Sequence, residues 1–173
     1  MTESHDPARS NSQPSITNPQ PSTIAGQTPI RRQVELSTTL DQLWRLVIDR
    51  GELQAWLSDD FDVELRVGAI GLATEGDRQR QVRIDAIEPL RRVSFTWWEL
   101  GQPDLASRVE LEVEGLGNEV SLLRITETLL PSASAPEIAS ALTAAEMAAD
   151  AVAHWEVRVL SLWACTVAMA LVQ

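Results

Sequence analysis

The stretch from Pro136 to Val172, PEIASALTAAEMAADAVAHWEVRVLSLWACTVAMALV, contains no Gly, and its only Pro stands at its first position. Apolar and small residues recur at Ile138, Leu142, Ala145, Ala149, Val152, Trp155, Val159, Leu162, Thr166 and Ala170. That spacing of three and four marks one face of a long helix. From about Ile30 to this stretch the chain reads as short β-segments with one early helical pair. A sheet with one apolar face needs cover, and this helix is the only element long enough to give it. After Leu142 the Ala-rich half offers no large side chain except Met147. A break near Asp150 is therefore expected, with a lid before it and the core helix after it.

The preceding residues supply the sheet. IRRQVELS (30–37) alternates as a first strand, and TLDQLWRLVIDR follows with a cap at Ser37 or Thr38 and a stop at Gly51. GELQAWLSD reads as a second short helix, with Leu53, Trp56 and Leu57 apolar. FDVELRV (61–67) alternates inward at Phe61, Val63, Leu65 and Val67, and IGLAT continues as the next strand after Gly68 and Gly71. RQVRIDAIEPL carries Val82 and Ile84 on one face, with a bulge implied before Ile87. RRVSFTWW and LASRVELEVEG alternate clearly: Val93, Phe95 and Trp97 on one, and Val109, Leu111 and Val113 on the other. EVSLLRITET is a last strand whose facing the adjacent Leu122 and Leu123 leave open. The order is β, α, α, about six β, then a long α, without βαβ alternation. This predicts an α+β fold with an antiparallel sheet covered on one side.

Residues 1–29 carry Pro7, Pro14, Pro19, Pro21 and Pro29 among Ser, Thr, Asn and Gln, and are expected to form a disordered tail to a domain spanning 30–173. They hold no apolar run with a cleavage site. The whole chain has net charge −11. Such acidity disfavours nucleic-acid backbones and anionic lipid surfaces. Lys is missing, which removes lysine nucleophiles and Schiff bases. Cys165 is the only cysteine, so no internal disulfide forms and a cytoplasmic location is the default. The apolar run from Val159 to Val172 is shorter than the ~20 residues a membrane span requires.

Together, "TLDQLWRLVID", "LQAWLSDD", "VGAIG", "IDAIEPLRRVSFTWW", "SRVELEVEG…GNEVSLLRITE" and "HWEVRVLSL" occur in an order that resembles the START-like (SRPBCC) superfamily. Within it they are similar to bacterial proteins like the C-terminal domain of the activator of Hsp90 ATPase. The resemblance covers about 140 of 173 residues. It implies a helix-grip fold, a curved antiparallel sheet of six or seven strands wrapped round the C-terminal helix, with two small helices closing one end. It also implies an apolar cavity between sheet and helix. Members bind lipids, polyketides or hormones, a few are cyclases, and some act on chaperones.

Catalytic groups are scarce. His5 falls in the tail, leaving His154, carboxylates and hydroxyls for acid–base or nucleophilic work. The acidic run Asp59, Asp60, Asp62 and Glu64 reads as a solvated strand face rather than a Ca²⁺ loop. No spacing suits zinc and no Gly-rich phosphate fingerprint occurs, so neither metal nor cofactor is expected. The leading expectation is non-enzymatic binding of a small apolar molecule, lipid or polyketide-like. Its walls would be Trp56, Phe61, Phe95, Trp97, Leu111, Val152, Trp155 and Val159, with His154, Arg83, Arg108 or Arg124 supplying one polar contact. The alternative is a protein-interaction module, with the acidic surface and an exposed Trp98 as its handles. A cyclase-like enzyme is a third reading and requires a buried carboxylate or His154 to converge on the cavity. A homodimer stays open.

Overall fold

A computed structural model describes residues 28–130 and 137–170. The elements run β1 (Ile30–Leu36), α1 (Leu40–Ile48), α2 (Arg50–Trp56), β2 (Asp60–Asp62), β3 (Ile70–Glu75), β4 (Arg78–Glu88), β5 (Arg92–Glu99), β6 (Ala106–Gly115), β7 (Ser121–Leu129) and α3 (Glu137–Ala170). The strands form one open antiparallel sheet of seven in the order β1-β7-β6-β5-β4-β3-β2. α3 packs against α2, β1 and β7. This is the expected helix-grip α+β architecture. The expected disordered tail lies outside the described residues up to position 27.

The helical pair is fixed by local chemistry. Thr39, one residue later than expected, caps α1: its hydroxyl accepts from the Gln42 N–H, and the Gln42 side chain accepts in return from the Thr39 N–H. Gly51 does not end α1, because Asp49 already does. Its extended backbone breaks the helix, its N–H donates to the Arg45 carbonyl, and its carboxylate accepts from the Glu52 N–H to open α2. Gly51 then lies inside α2. Leu43, Leu46, Val47, Leu53, Trp56 and Leu57 are all buried where the two helices close one end of the sheet.

The predicted strand 61–67 is cut to three residues. After Asp62 the chain turns, with the Arg66 N–H bonded to the Glu64 carbonyl and Gly68 at φ +83°. Val67 is left exposed. Gly71 is required beside this turn, since a Cβ there would sit 2.1 Å from the Asp62 carbonyl oxygen. The bulge in β4 falls between Ile84 and Ala86. Inward residues of β4–β7, among them Val82, Phe95, Val109, Leu111 and Ile125, join Trp56, Phe61 and Trp155 in one continuous core.

α3 shows no break near Asp150. Glu137–Ala170 is one helix of 34 residues, because Ala, Glu and Met are strong helix formers and nothing in the stretch interrupts the backbone ladder. Its buried face agrees with the predicted one at Trp155, Leu162 and Thr166 and departs from it in the Ala-rich half. Ala145 and Ala149 are exposed, whereas Ala151, His154, Trp155, Leu162 and Thr166 are buried. The side chains of Ile138, Leu142 and Ala170 lie outside the described set.

Candidate functional site

On β7 the alternation Leu123, Ile125, Glu127 points all three side chains at the core. The third is a carboxylate, only 5% exposed. Register places it beside two other inward positions: Val109 of β6 pairs with Glu127, and Ser107, two residues earlier, pairs with Trp97 of β5. The Trp97 indole N–H donates both to Ser107 Oγ at 2.8 Å and to Glu127 Oε1 at 2.9 Å. The Ser107 hydroxyl donates to the same Oε1. From above, the Trp155 indole N–H of α3 donates to Glu127 Oε2 at 2.7 Å. Trp97 and Trp155 are stacked, with centroids 6.0 Å apart. Glu127 is thus held by three neutral donors, and among the described residues no Arg or His stands within salt-bridge distance of it.

A second, charged cluster lies where the β3–β4 hairpin meets α3. Asp150, His154 and Arg158 are spaced by four, so they share one helical face. The tight turn Gly76–Asp77, with Gly76 at φ +57°, brings Glu75 and Arg78 up to that face. His154 Nδ1 lies 3.1 Å from the Glu75 carboxylate, and Arg158 also donates to it. Burial alone would push the Glu75 carboxyl up, but the hydrogen bonds and charge of His154 and Arg158 outweigh it and hold it at about 2. Arg78 reaches Asp150 at 2.7 Å and Glu99 at 3.4 Å. The Arg80 guanidinium rests over the Trp97 ring, 4.4 Å from its centroid, and lies 3.5 Å from Glu99. His154 is edge-on to both Trp97 and Trp155, and its Nε2 is buried without a partner among the described residues.

Between the two clusters opens a cavity of about 520 Å³, bounded by β4–β7 on one side and α3 on the other. Trp97, Ser107 and Glu127 line it, with Leu105, Leu129 and Met147 as apolar wall. Arg78, Arg80, Glu99 and Asp150 border it as well.

The residues singled out from sequence divide into groups. Trp97 lines the cavity, and Trp155 lies behind it, reaching Glu127. Trp56, Phe61, Phe95 and Leu111 lie in the solid core; the Trp56 indole N–H donates to the Leu46 carbonyl at 2.8 Å. Val152 and Val159 are half-buried on α3. His154 faces Glu75. Arg83 and Arg108 pair with Asp85, and Arg124 with Glu114, all on the outer face of the sheet. Trp98 is half-buried at the cavity rather than exposed, because the chain from Gln102 to Leu105 folds against the same pocket. Glu127, Ser107, Arg78, Arg80 and Asp150 were not foreseen. Among the described residues no group of His, Cys, Asp and Glu could hold a metal ion, and no helix is long and apolar enough to cross a membrane.

Residues 37–161 match the family described as Activator of Hsp90 ATPase homolog 1-like protein. No curated protein matches. Solved structures share the fold. DynU16, from the dynemicin biosynthetic locus, is 22% identical with TM-score 0.57, over 78% of this chain and 45% of that one. The chain therefore spans less than half of DynU16, and 59% of CalU16 from Micromonospora echinospora. The Aha1 dimer of Colwellia psychrerythraea is 14% identical with TM-score 0.58, over 79% of this chain and 93% of that one. PFC0360w, an HSP90 activator from Plasmodium falciparum, is 18% identical with TM-score 0.50, over 60% of this chain and 74% of that one.

Proposed function

Because the chain belongs to the family of Activator of Hsp90 ATPase homolog 1-like proteins, we propose that its START-like domain binds a small, mainly apolar molecule in the cavity between sheet and α3. One observation carries this reading: a half-open space of about 520 Å³ in which an apolar strip of Trp97, Leu105, Leu129 and Met147 lies beside a larger set of polar and charged groups, Glu127 and Glu146 among them. Its volume falls in the roughly 300–1,000 Å³ range of small-molecule sites, and its lining is more polar than most of them. Desolvation of the ligand against the wall supplies affinity, and the polar groups set its orientation. Native mass spectrometry of the purified protein is expected to show an adduct of small-molecule mass that organic extraction removes. A bare chain that also takes up none of the probes named below would count against binding.

A second reading, as an interaction module, is favoured by one feature of α3. Val157 (58% exposed), Leu160 (69%), Trp163 (57%) and Val167 (40%) lie along its outer side. A helix apolar on both sides is the pattern of a buried helix. The occupant we assign to this face is a second copy of the chain. In an antiparallel pair centred on Leu160, Val157 meets Trp163 and Ala153 meets Val167, small against large, and Glu156 meets Ala164 rather than another acid. The similar Colwellia protein is a dimer. Sedimentation velocity at tens of micromolar should give a dimer for the native chain and a monomer for Leu160→Glu. A native chain that sediments as a monomer throughout would remove this reading.

A further inference from the structure

The geometry points to Glu127 as the anchor for a protonated amine, so that the ligand of the proposed cavity is an amphipathic organic ammonium, with its N–H groups on the Glu127 carboxylate and its apolar part against Leu105, Leu129 and Met147. The inference rests on the proposed binding function and names the chemistry that site would take.

Three observations and one energetic argument carry it. Glu127 is buried yet lines the cavity, so a bound molecule can reach it. Every partner the carboxylate has among the described residues is a neutral donor: two indole N–H groups, which can only donate, and the Ser107 hydroxyl. Oε2 accepts a single such bond, which leaves it acceptor capacity for one more. A buried carboxylate without a counter-ion is costly, and a cation entering the cavity would remove that cost.

The other charges around the cavity do not take this place. Arg78 is held by Asp150 and Glu99, and Arg80 by Glu99, Glu75 and Asp150. With both arginines ion-paired to carboxylates, an anionic ligand would have to compete for the cations that the described residues place there. Arg80 also covers the face of Trp97. An aromatic cage for a quaternary ammonium is therefore not available at that ring, and recognition must come through N–H···O bonds to Glu127.

Four eight-carbon probes separate the outcomes: octylamine, 1-octanol, octanoate and octyltrimethylammonium, titrated calorimetrically at pH 7 in about 0.15 M salt, which screens the general attraction of an acidic surface for cations. Octylamine is expected to bind at least ~10-fold tighter than octanol and than octyltrimethylammonium, with octanoate weakest; charge-assisted hydrogen bonds are the strong ones. Glu127→Gln should bring octylamine down to the level of octanol, with folding checked by circular dichroism. Equal affinity of octylamine and octanol overturns the anchor while leaving the cavity as a binding site. Equal affinity of octylamine and octyltrimethylammonium also overturns it, because that is the behaviour of a diffuse acidic surface. Binding of none of the probes overturns both the anchor and the binding function. Should Glu127→Gln fail to fold, the comparison on the native chain still decides.

Discussion

Replacing Trp155 by Ala is expected to lower the free energy of unfolding by about 5 kcal/mol. Deletion of a fully buried large aromatic costs roughly 3–5 kcal/mol in transfer and cavity terms. Trp155 is 0% exposed, stacks on Trp97 and sits in the continuous core between sheet and α3. A further cost follows from its indole N–H, the sole hydrogen-bond donor at Glu127 Oε2 among the described residues. Leaving a buried acceptor unpaired costs about 1–3 kcal/mol. The two terms overlap, since a collapsed or hydrated cavity restores part of each, so the sum falls toward the lower end of their combined range of about 4–8 kcal/mol. Trp155→Phe separates them. It keeps most of the ring and removes the donor, and a loss of about 1–3 kcal/mol is expected. Urea unfolding with unchanged slope would read both values as stability differences. A Phe variant as stable as the native chain would show that Glu127 does not depend on that indole.

That core was legible in the chain wherever alternation was strict. Val109, Leu111 and Val113 of β6 face inward, separated by polar residues facing out, and the bulge before Ile87 follows from a period-2 pattern that slips by one. Legibility failed where two signals competed. Leu122 and Leu123 left the facing of β7 open, and with it the orientation of Glu127, two steps beyond Ile125. An acid in phase with Leu123 and Ile125 is a visible oddity once Leu123 is set inward. The bonds that make it tolerable are not visible, because Trp97, Ser107 and Trp155 reach it from three other elements. Asp49 ends one helix and starts the next in a single residue, which a scan for Gly stops passes over.

The helix α3 misled in an instructive way. Ala-rich sequence gives weak facing information, since Ala is tolerated on either side of a helix, and the predicted face failed at Ala145 and Ala149 while holding at Trp155, Leu162 and Thr166. Charged residues located the inner face better. Asp150, His154 and Arg158 recur every four residues, and all three turn toward the β3–β4 hairpin to meet Arg78 and Glu75. Of the three, His154 and Arg158 are largely buried and Asp150 is exposed; polar groups buried in this way are expensive unless paired, and Glu75 on the sheet is their partner. Trp163 is by contrast exposed with Leu160. The large aromatic offering itself as a contact surface lies on α3, not at Trp98 on β5.

The Glu75 cluster carries a definite acid response. The carboxyl moves from its ordinary 4.5 to about 2 on folding. A group whose pKa is depressed on folding stabilises the native state above its unfolded value, and that contribution disappears as pH falls through the folded value. Here it is complete above about pH 5.5 and lost progressively between about pH 5 and pH 1. The full shift corresponds to about 3 kcal/mol. Glu75 keeps 28% of its side-chain surface exposed, so solvent screening reduces the expected contribution to about 2 kcal/mol. Glu75→Gln should therefore be about 2 kcal/mol less stable than the native chain at pH 7 by urea unfolding, and the gap should be reduced by about half near pH 3 and close toward zero only below about pH 2. A gap that persists unchanged at low pH would mean that Glu75 acts through packing and not through its charge. Glu75 ties the β3–β4 hairpin to His154 and Arg158, and the same hairpin and the same helix bound the cavity. Acid should then loosen the cavity wall as the folded carboxyl protonates, and octanol affinity should fall as pH drops from about 3 toward about 2 in the native chain but not in Glu75→Gln.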